Sequence, residues 1–383
     1  MNNRQAAWTT DNAAYITGRI RRNDFSEVVR AIDDSTVATP SGPLADLRDL
    51  CLVGATVMDL DADTFAGLEG VNLLPNHTRR HLRACAMPTA DVRQEQWRDY
   101  LKYGALANMR PLYALMLELV DEYYDRHEIT QVLALLHLMS DHLGQLAWQS
   151  ALPNLHPRTV AAVIGPRRGS NQKQAAWIAA RPSNHWARRT DCSVDGAWTT
   201  VLRSYSDYSP KPLVDALRSS GTRTSAAIVG CMAPGGLAAP GKSCPNPCCV
   251  QAQTDAALDA AGRPPMRPRA ALAAAFADSP VVAARHSSPV GHFFTLPSAR
   301  ELDALWLESM LTITSQWQTA AECVPGWPQG WQFGQTGNER LSGLAALVGN
   351  VAGLAGPLTK SDVLPSVRTA AIDALERAAA PPV

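Results

Sequence analysis

Apolar residues recur at helical spacing through much of the first 155 residues. Val132, Leu136, Met139, Leu143 and Leu146 step by 4, 3, 4 and 3, which draws one apolar stripe down a helix. Just before it, Leu112, Leu115, Leu119 and Tyr123 trace a second stripe, with Glu118, Glu122 and Asp125 expected on its solvated side. Pro111 suits the first turn of that helix, and Thr130 is the expected cap of the next. Only a few residues join the two, so they predict an antiparallel hairpin, ended by Pro153 and Pro157. Upstream, Asn23–Asp24 predicts the start of a helix carrying Phe25, Val28, Val29 and Ile32. The stretch from Asp91 to Met109 predicts another.

The pattern changes after residue 155. Thr159 to Ile164, Ala197 to Tyr205 and Ser225 to Val229 hold β-branched and aromatic residues at strand lengths. Pro212 to Ser220 predicts a short helix, and Met232 to Cys249 is a Pro/Gly/Cys loop. Helices are expected again at Thr254–Ala261 and Pro268–Ala277. Further on, Ser298-Ala299-Arg300-Glu301 forms a capping box, in which serine and glutamate satisfy each other's backbone donors. Leu302, Trp306, Met310, Ile313 and Trp317 then mark a buried stripe. A Trp/Gly/Pro loop runs from Pro325 to Asn338. Two helices and a loose tail, Ala378 to Val383, close the sequence. The fold class is therefore α+β and predominantly α-helical. Three regions are expected: a mainly helical 1–155, a basic, mixed and loop-rich 156–296, and a helical 297–383.

Length and composition sharpen this picture. At 383 residues, two or three domains is the default. Hydrophobic residues make up 46% and charged residues 18%, against roughly a quarter charged in ordinary domains. That balance buries a large core, excludes wholesale disorder and leaves few charges to coat a free monomer. The net charge is zero, but the charges are sorted. Residues 1–141 hold 14 Lys/Arg against 20 Asp/Glu, residues 142–300 hold 17 against 7, and residues 301–383 hold 4 against 8. Between Asp141 and Asp191 there is no carboxylate, while Arg158, Arg167, Arg168, Lys173, Arg181, Arg188 and Arg189 accumulate. Sorting of this kind points to a partner surface more than to a reaction.

The first fifteen residues lack the apolar core of a secretory signal. Five of the eight cysteines (Cys51, Cys85, Cys192, Cys231, Cys323) are scattered, which fits reduced intracellular thiols. The longest charge-free helical stretch, Leu341 to Thr359, contains Gly349-x-x-x-Gly353. It is too weakly apolar to span a bilayer, so no membrane partner is expected.

Several patterns carry candidate chemistry. Gly236 to Ser243 fits G-x-x-x-x-G-K-[ST] and resembles the Walker A loop of P-loop nucleotide hydrolases. The resemblance implies a phosphate cradle of Gly236 and Gly241, with Lys242 and Ser243 reaching phosphate and magnesium. Its context is broken, because Pro245 and Pro247 interrupt the helix the loop must open. Cys244, Cys248 and Cys249 are weak metal candidates: zinc takes four ligands from C-x-x-C knuckles, and the spacing here is C-x-x-x-C-C. No metal and no cofactor is expected. His77-x-x-x-His81 lies among Asn76, Arg79, Arg80 and Arg83, a cationic setting that disfavours metal. His137 and Asp141 share a face at i, i+4, and the expected arrangement is a buried helix–helix hydrogen bond. Asp121, Glu122, Asp125 and Glu128 form an acidic run, expected as a solvated helix end. Cys231 beside Gly235–Gly236 lacks any marked activating base. G-x-S-x-G is absent, and no complete catalytic signature exists, so a non-enzymatic role is expected.

The basic segment 158–189 carries the strongest signal. Arg167, Arg168, Lys173, Arg181, Arg188 and Arg189 are interleaved with Trp177 and Trp186, a pattern that suits phosphate and base stacking. The same residues suit docking against acidic protein surfaces, and Trp327 and Trp331 are candidate interface anchors. Arg outnumbers Lys thirty to five, the loops 232–249 and 323–338 are rich in Pro and Gly, and the tail is Ala-Pro. In these traits the chain resembles structural proteins of double-stranded RNA viruses of fungi. That resemblance implies a self-assembling virion component, located inside the cell. Its expected partners are copies of itself and another structural protein, with RNA contact as a further possibility. The alternatives are a nucleotide-binding enzyme centred on 236–243 and an RNA-binding module built on 158–189.

Overall fold

The computed structural model describes residues 10–35, 40–62, 64–65, 67–85, 109–151, 266–287, 297–323 and 340–380. Among these the regular structure is entirely helical. The helices are α1 (Thr10–Arg21), α2 (Phe25–Ser35), α3 (Pro43–Met58), α4 (Asn76–Cys85), α5 (Met109–Asp125) and α6 (Ile129–Ala151). They continue with α7 (Met266–Ala277), α8 (Pro280–Ala283), α9 (Ala299–Cys323), α10 (Leu344–Val351) and α11 (Val363–Ala379). Short 3-10 turns occupy Glu69–Leu73 and Ala284–Ser287. The described fold is thus predominantly helical. The three candidate strands, the helices expected at Pro212–Ser220 and Thr254–Ala261, and the loops 232–249 and 325–338 lie outside the described residues.

Contacts divide the chain into two units. The first gathers Met1–Tyr100, Ala114–Leu119 and Lys360–Val383; the second gathers Leu101–Tyr113 and Val120–Thr359. The first unit therefore draws on both the first and the last of the three sequence regions. Its centre is α3, which packs against α2, the 69–73 turn and α11. Leu47, Leu50, Val53 and Val57 are buried on α3, and Val363, Val367, Ala371 and Leu375 on α11. The Phe25 ring lies over Gly54, where a Cβ would fall 2.5 Å from the ring, so the close crossing of α2 and α3 needs that glycine. Asp24 starts α2 as expected, its carbonyl accepting from Glu27 and Val28. Its carboxylate meets Arg19 at 3.2 Å and Arg22 at 3.4 Å.

In the second unit α6 packs against α7, α8 and α10, while α9 covers α7 and α8. The α6 stripe from Val132 to Leu146 is fully buried. The Tyr113 hydroxyl donates to the Met139 carbonyl at 2.5 Å. This bond joins points about equally far from the α5–α6 connection, so the two helices form the expected antiparallel hairpin. Helix α6 begins at Ile129, with the Glu128 carbonyl accepting from Gln131 and Val132. Thr130 therefore lies inside the first turn instead of capping it.

Four helices stop in the same way. After α1, α3, α5 and α10, the chain places Asn23, Leu60, His127 and Gly353 at φ 56°, 50°, 59° and 72°. In each case two backbone amides turn back onto the last carbonyls, as when Leu354 N–H donates to Gly349 and Gly353 N–H to Asn350. Glycine occupies one of these four stops. The expected charge-free helix 341–359 consequently ends at Val351. Gly349 serves the close approach of residues 356–358, since its Cβ would strike the Gly356 carbonyl oxygen. The G-x-x-x-G spacing thus ends a helix and packs it against a loop, and no helix among the described residues is long and apolar enough to cross a membrane. At the far end, Ala378 and Ala379 belong to α11, so the tail starts later than expected.

Candidate functional site

Helix α9 was expected from sequence as a capped helix with a buried stripe, and the structure shows both of its faces. Its start is the expected capping box: Ser298 N–H donates to Glu301 Oε2 at 2.7 Å, and Glu301 N–H donates to Ser298 Oγ at 3.3 Å. The Ser298 amide, then its hydroxyl, hold the Glu301 carboxyl below the usual carboxylate range. The inward stripe is buried at Leu302, Trp306, Met310, Ile313 and Trp317. Trp306 stacks edge-on against Phe276 and donates to the Ser342 carbonyl at 3.0 Å. Ser309, fully buried, donates to the Leu305 carbonyl at 2.6 Å and accepts from the Val281 amide at 3.0 Å.

This fixed inner face leaves a second face outward. Leu307 and Leu311 are 59% and 62% exposed at i, i+4, with exposed Ala304 one turn before them. Two leucines held open on a rigid, capped helix form an apolar strip in water. The stripe was legible from spacing, but its outward neighbours were not, because Leu307 and Leu311 differ from core leucines only in phase.

The acidic run near the end of α5 is spoken for. Arg340 Nε lies 2.5 Å from Asp125 Oδ1, and the Arg340 amide donates to Asp121 at 3.3 Å. Tyr124 donates to Asp303 at 2.6 Å. Burial first, then that carboxylate, push the Tyr124 phenol up to about 12. The run is therefore a set of ion pairs and hydrogen bonds, more engaged than the solvated end expected. Among the described residues no group of three metal-binding side chains is found.

Glu118 corrects a second expectation. It does not line a solvated face. Its Oε1 accepts from the Leu364 amide at 2.8 Å, its Oε2 from the Val363 amide at 3.1 Å and from the Ser361 hydroxyl. One carboxyl thus caps the start of α11. Burial pushes its pKa up to about 7, opposed by these three hydrogen bonds. The available signal was a lone carboxylate inside the apolar run Leu112 to Val120.

The histidines take ordinary places. His137 Nε2 lies 3.2 Å from Asp141 Oδ2 within α6, and Asp141 is 57% exposed. The pair is intrahelical and open to water on the carboxylate side, where a buried helix–helix bond was expected. His77 is exposed on α4 and meets Thr78 Oγ1 at 3.1 Å. Cys51 and Cys85 are free and buried, and burial pushes both thiols up to about 12, which leaves them inert near neutrality.

The other sequence-nominated residues lie outside the described residues. These are Arg167, Arg168, Lys173, Arg181, Arg188, Arg189, Trp177 and Trp186 of the basic segment. They include Gly236, Gly241, Lys242 and Ser243 of the Walker-like string. Cys231, Cys244, Cys248, Cys249, Trp327 and Trp331 complete the set. No family model, curated protein or solved structure matches the chain.

Proposed function

We propose that the chain is a non-enzymatic structural protein that associates with copies of itself within a larger shell. One observation carries this reading: the open leucine strip of α9. Low overall charge supports it, because 18% charged residues leave extensive surface weakly hydrated. If one α9 meets another across a two-fold axis, four leucines lose their exposure. At about 1.5–3 kcal/mol for a fully buried leucine, such a contact contributes about 4–7 kcal/mol. Association costs about 4–15 kcal/mol, so the strip needs further contacts around it, as in a subunit with several neighbours. In that reading the partners are sister copies and another shell protein, and the particle is a virion, as the resemblance to fungal double-stranded RNA virus proteins implies.

The test is sedimentation and light scattering of the purified chain beside Leu307→Glu/Leu311→Glu. The wild type is expected to form concentration-dependent assemblies. The variant should sediment as a smaller species with unchanged helical circular dichroism. A wild type that stays monomeric at its highest soluble concentration, with or without a candidate partner shell, refutes the proposal.

A further inference from the structure

We propose that the outward face of α4 is a contact surface for the phosphodiester backbone of nucleic acid. Helix α4 reads Asn76-His77-Thr78-Arg79-Arg80-His81-Leu82-Arg83-Ala84-Cys85 and contains no carboxylate. Thr78, Leu82 and Cys85 face the core, which fixes the opposite phase outward. Arg80, Arg83 and Asn76 are exposed there, with Arg79 half-buried beside them.

What holds these arginines separates them from others in the protein. Arg83 donates to Asn72 Oδ1 at 2.9 Å. Arg79 donates to Asn76 Oδ1 at 3.3 Å and to the Asn72 carbonyl at 3.5 Å, and Arg80 to the Asn76 carbonyl at 3.4 Å. Each acceptor is neutral. Among the described residues no carboxylate pairs with any of the three. By contrast Arg48, Arg126, Arg340 and Arg377 each meet a carboxylate at 2.5–3.6 Å. The asparagines orient the guanidinium groups without cancelling their charge, so among the described residues the three cations are held in place with no carboxylate to neutralise them.

The geometry favours a polyphosphate over a protein partner. Arg79 and Arg83 are four residues apart, about 6 Å along the axis, so the row presents forks in series. Phosphate contacts gain affinity by releasing counterions and need no apolar burial. Protein interfaces centre on apolar and aromatic cores. The α4 face offers one leucine, Leu73, at its border.

The experiment uses the full chain with short fluorescent RNA and DNA duplexes of mixed sequence, and polyglutamate as the protein-like anion. The variant is Arg79→Ala/Arg80→Ala/Arg83→Ala, which keeps strong helix formers in α4. Three phosphate contacts give a slope of about −2.7 in log affinity against log salt. Between about 50 and 200 mM salt, wild-type binding should therefore weaken about 40-fold more than binding of the variant. The Arg79→Lys/Arg80→Lys/Arg83→Lys variant should restore the slope, which separates charge from lost packing. Equal loss on RNA and DNA, or loss confined to RNA, supports the proposal and tells backbone charge from A-form recognition. Unchanged salt dependence, no wild-type binding to either duplex, or loss confined to polyglutamate overturns it. Sedimentation of the same variant without nucleic acid reads the α9 proposal separately.

Discussion

Glu118→Gln is the sharpest probe of the first unit, because it alters one atom pair at the start of α11. In the unfolded chain this carboxyl titrates near its ordinary value of 4.5; in the folded chain burial pushes it up to about 7. Between those values the folded state holds more protons than the unfolded one, so its stability falls as pH rises. The contribution is fully present below pH 4.5 and is lost once pH has passed the folded value. A shift of that size corresponds to about 3 kcal/mol, at about 1.4 kcal/mol per pH unit. Glutamine cannot titrate, so the variant lacks this slope. With two units in the chain, a single global unfolding energy is ill-defined. The right readout is hydrogen exchange of peptides from α11, comparing wild type and variant at matched pH from about 4.5 to 8. The stability difference, wild type minus variant, should fall by about 3 kcal/mol across that range. A difference that stays flat or rises would refute the reasoning. It would mean that the Val363 and Leu364 amides and the helix dipole hold the carboxylate ionised despite its burial.

Three further substitutions test the local arguments. His127→Gly, at an exposed left-handed stop, should raise the protection of the α5–α6 hairpin by about 0.5–1 kcal/mol, because glycine adopts φ 59° without strain. Gly349→Ala should lower the local stability around α10 by about 1–3 kcal/mol, seen as faster hydrogen exchange of its peptides, since the added methyl meets the backbone of residues 356–358. Ser298→Ala removes the capping box and should cost about 1 kcal/mol, seen as faster exchange in the first turn of α9.

How far the sequence reaches is clear from particular residues. The stripes of α5, α6 and α9 and the box at Ser298–Glu301 were legible, because spacing and local hydrogen bonding act within one or two turns. The stops at Leu60 and His127 were not, since neither is a glycine, the residue that ordinarily marks a left-handed helix end. Glu118 was hidden for a similar reason: its partners lie more than 240 residues away. Pairing of α3 with α11 has no local signature at all. At the candidate site, periodicity found the helix and its inner face. It could not say that Leu307 and Leu311 stay uncovered, because an outward leucine on a helix without packing partners looks like any other.

The place of α11 bears on how the protein is made. Its partner α3 leaves the ribosome with Leu47, Leu50, Val53 and Val57 ready to pack, but the helix that covers them is translated about 300 residues later. At roughly 5–20 residues per second, the wait lasts tens of seconds. Through that interval the nascent N-terminal helices present an oily seam to every other polypeptide on the polysome. Premature termination upstream of Val363 would make the exposure permanent, so truncated products are expected to enter inclusion bodies or to recruit holdase chaperones.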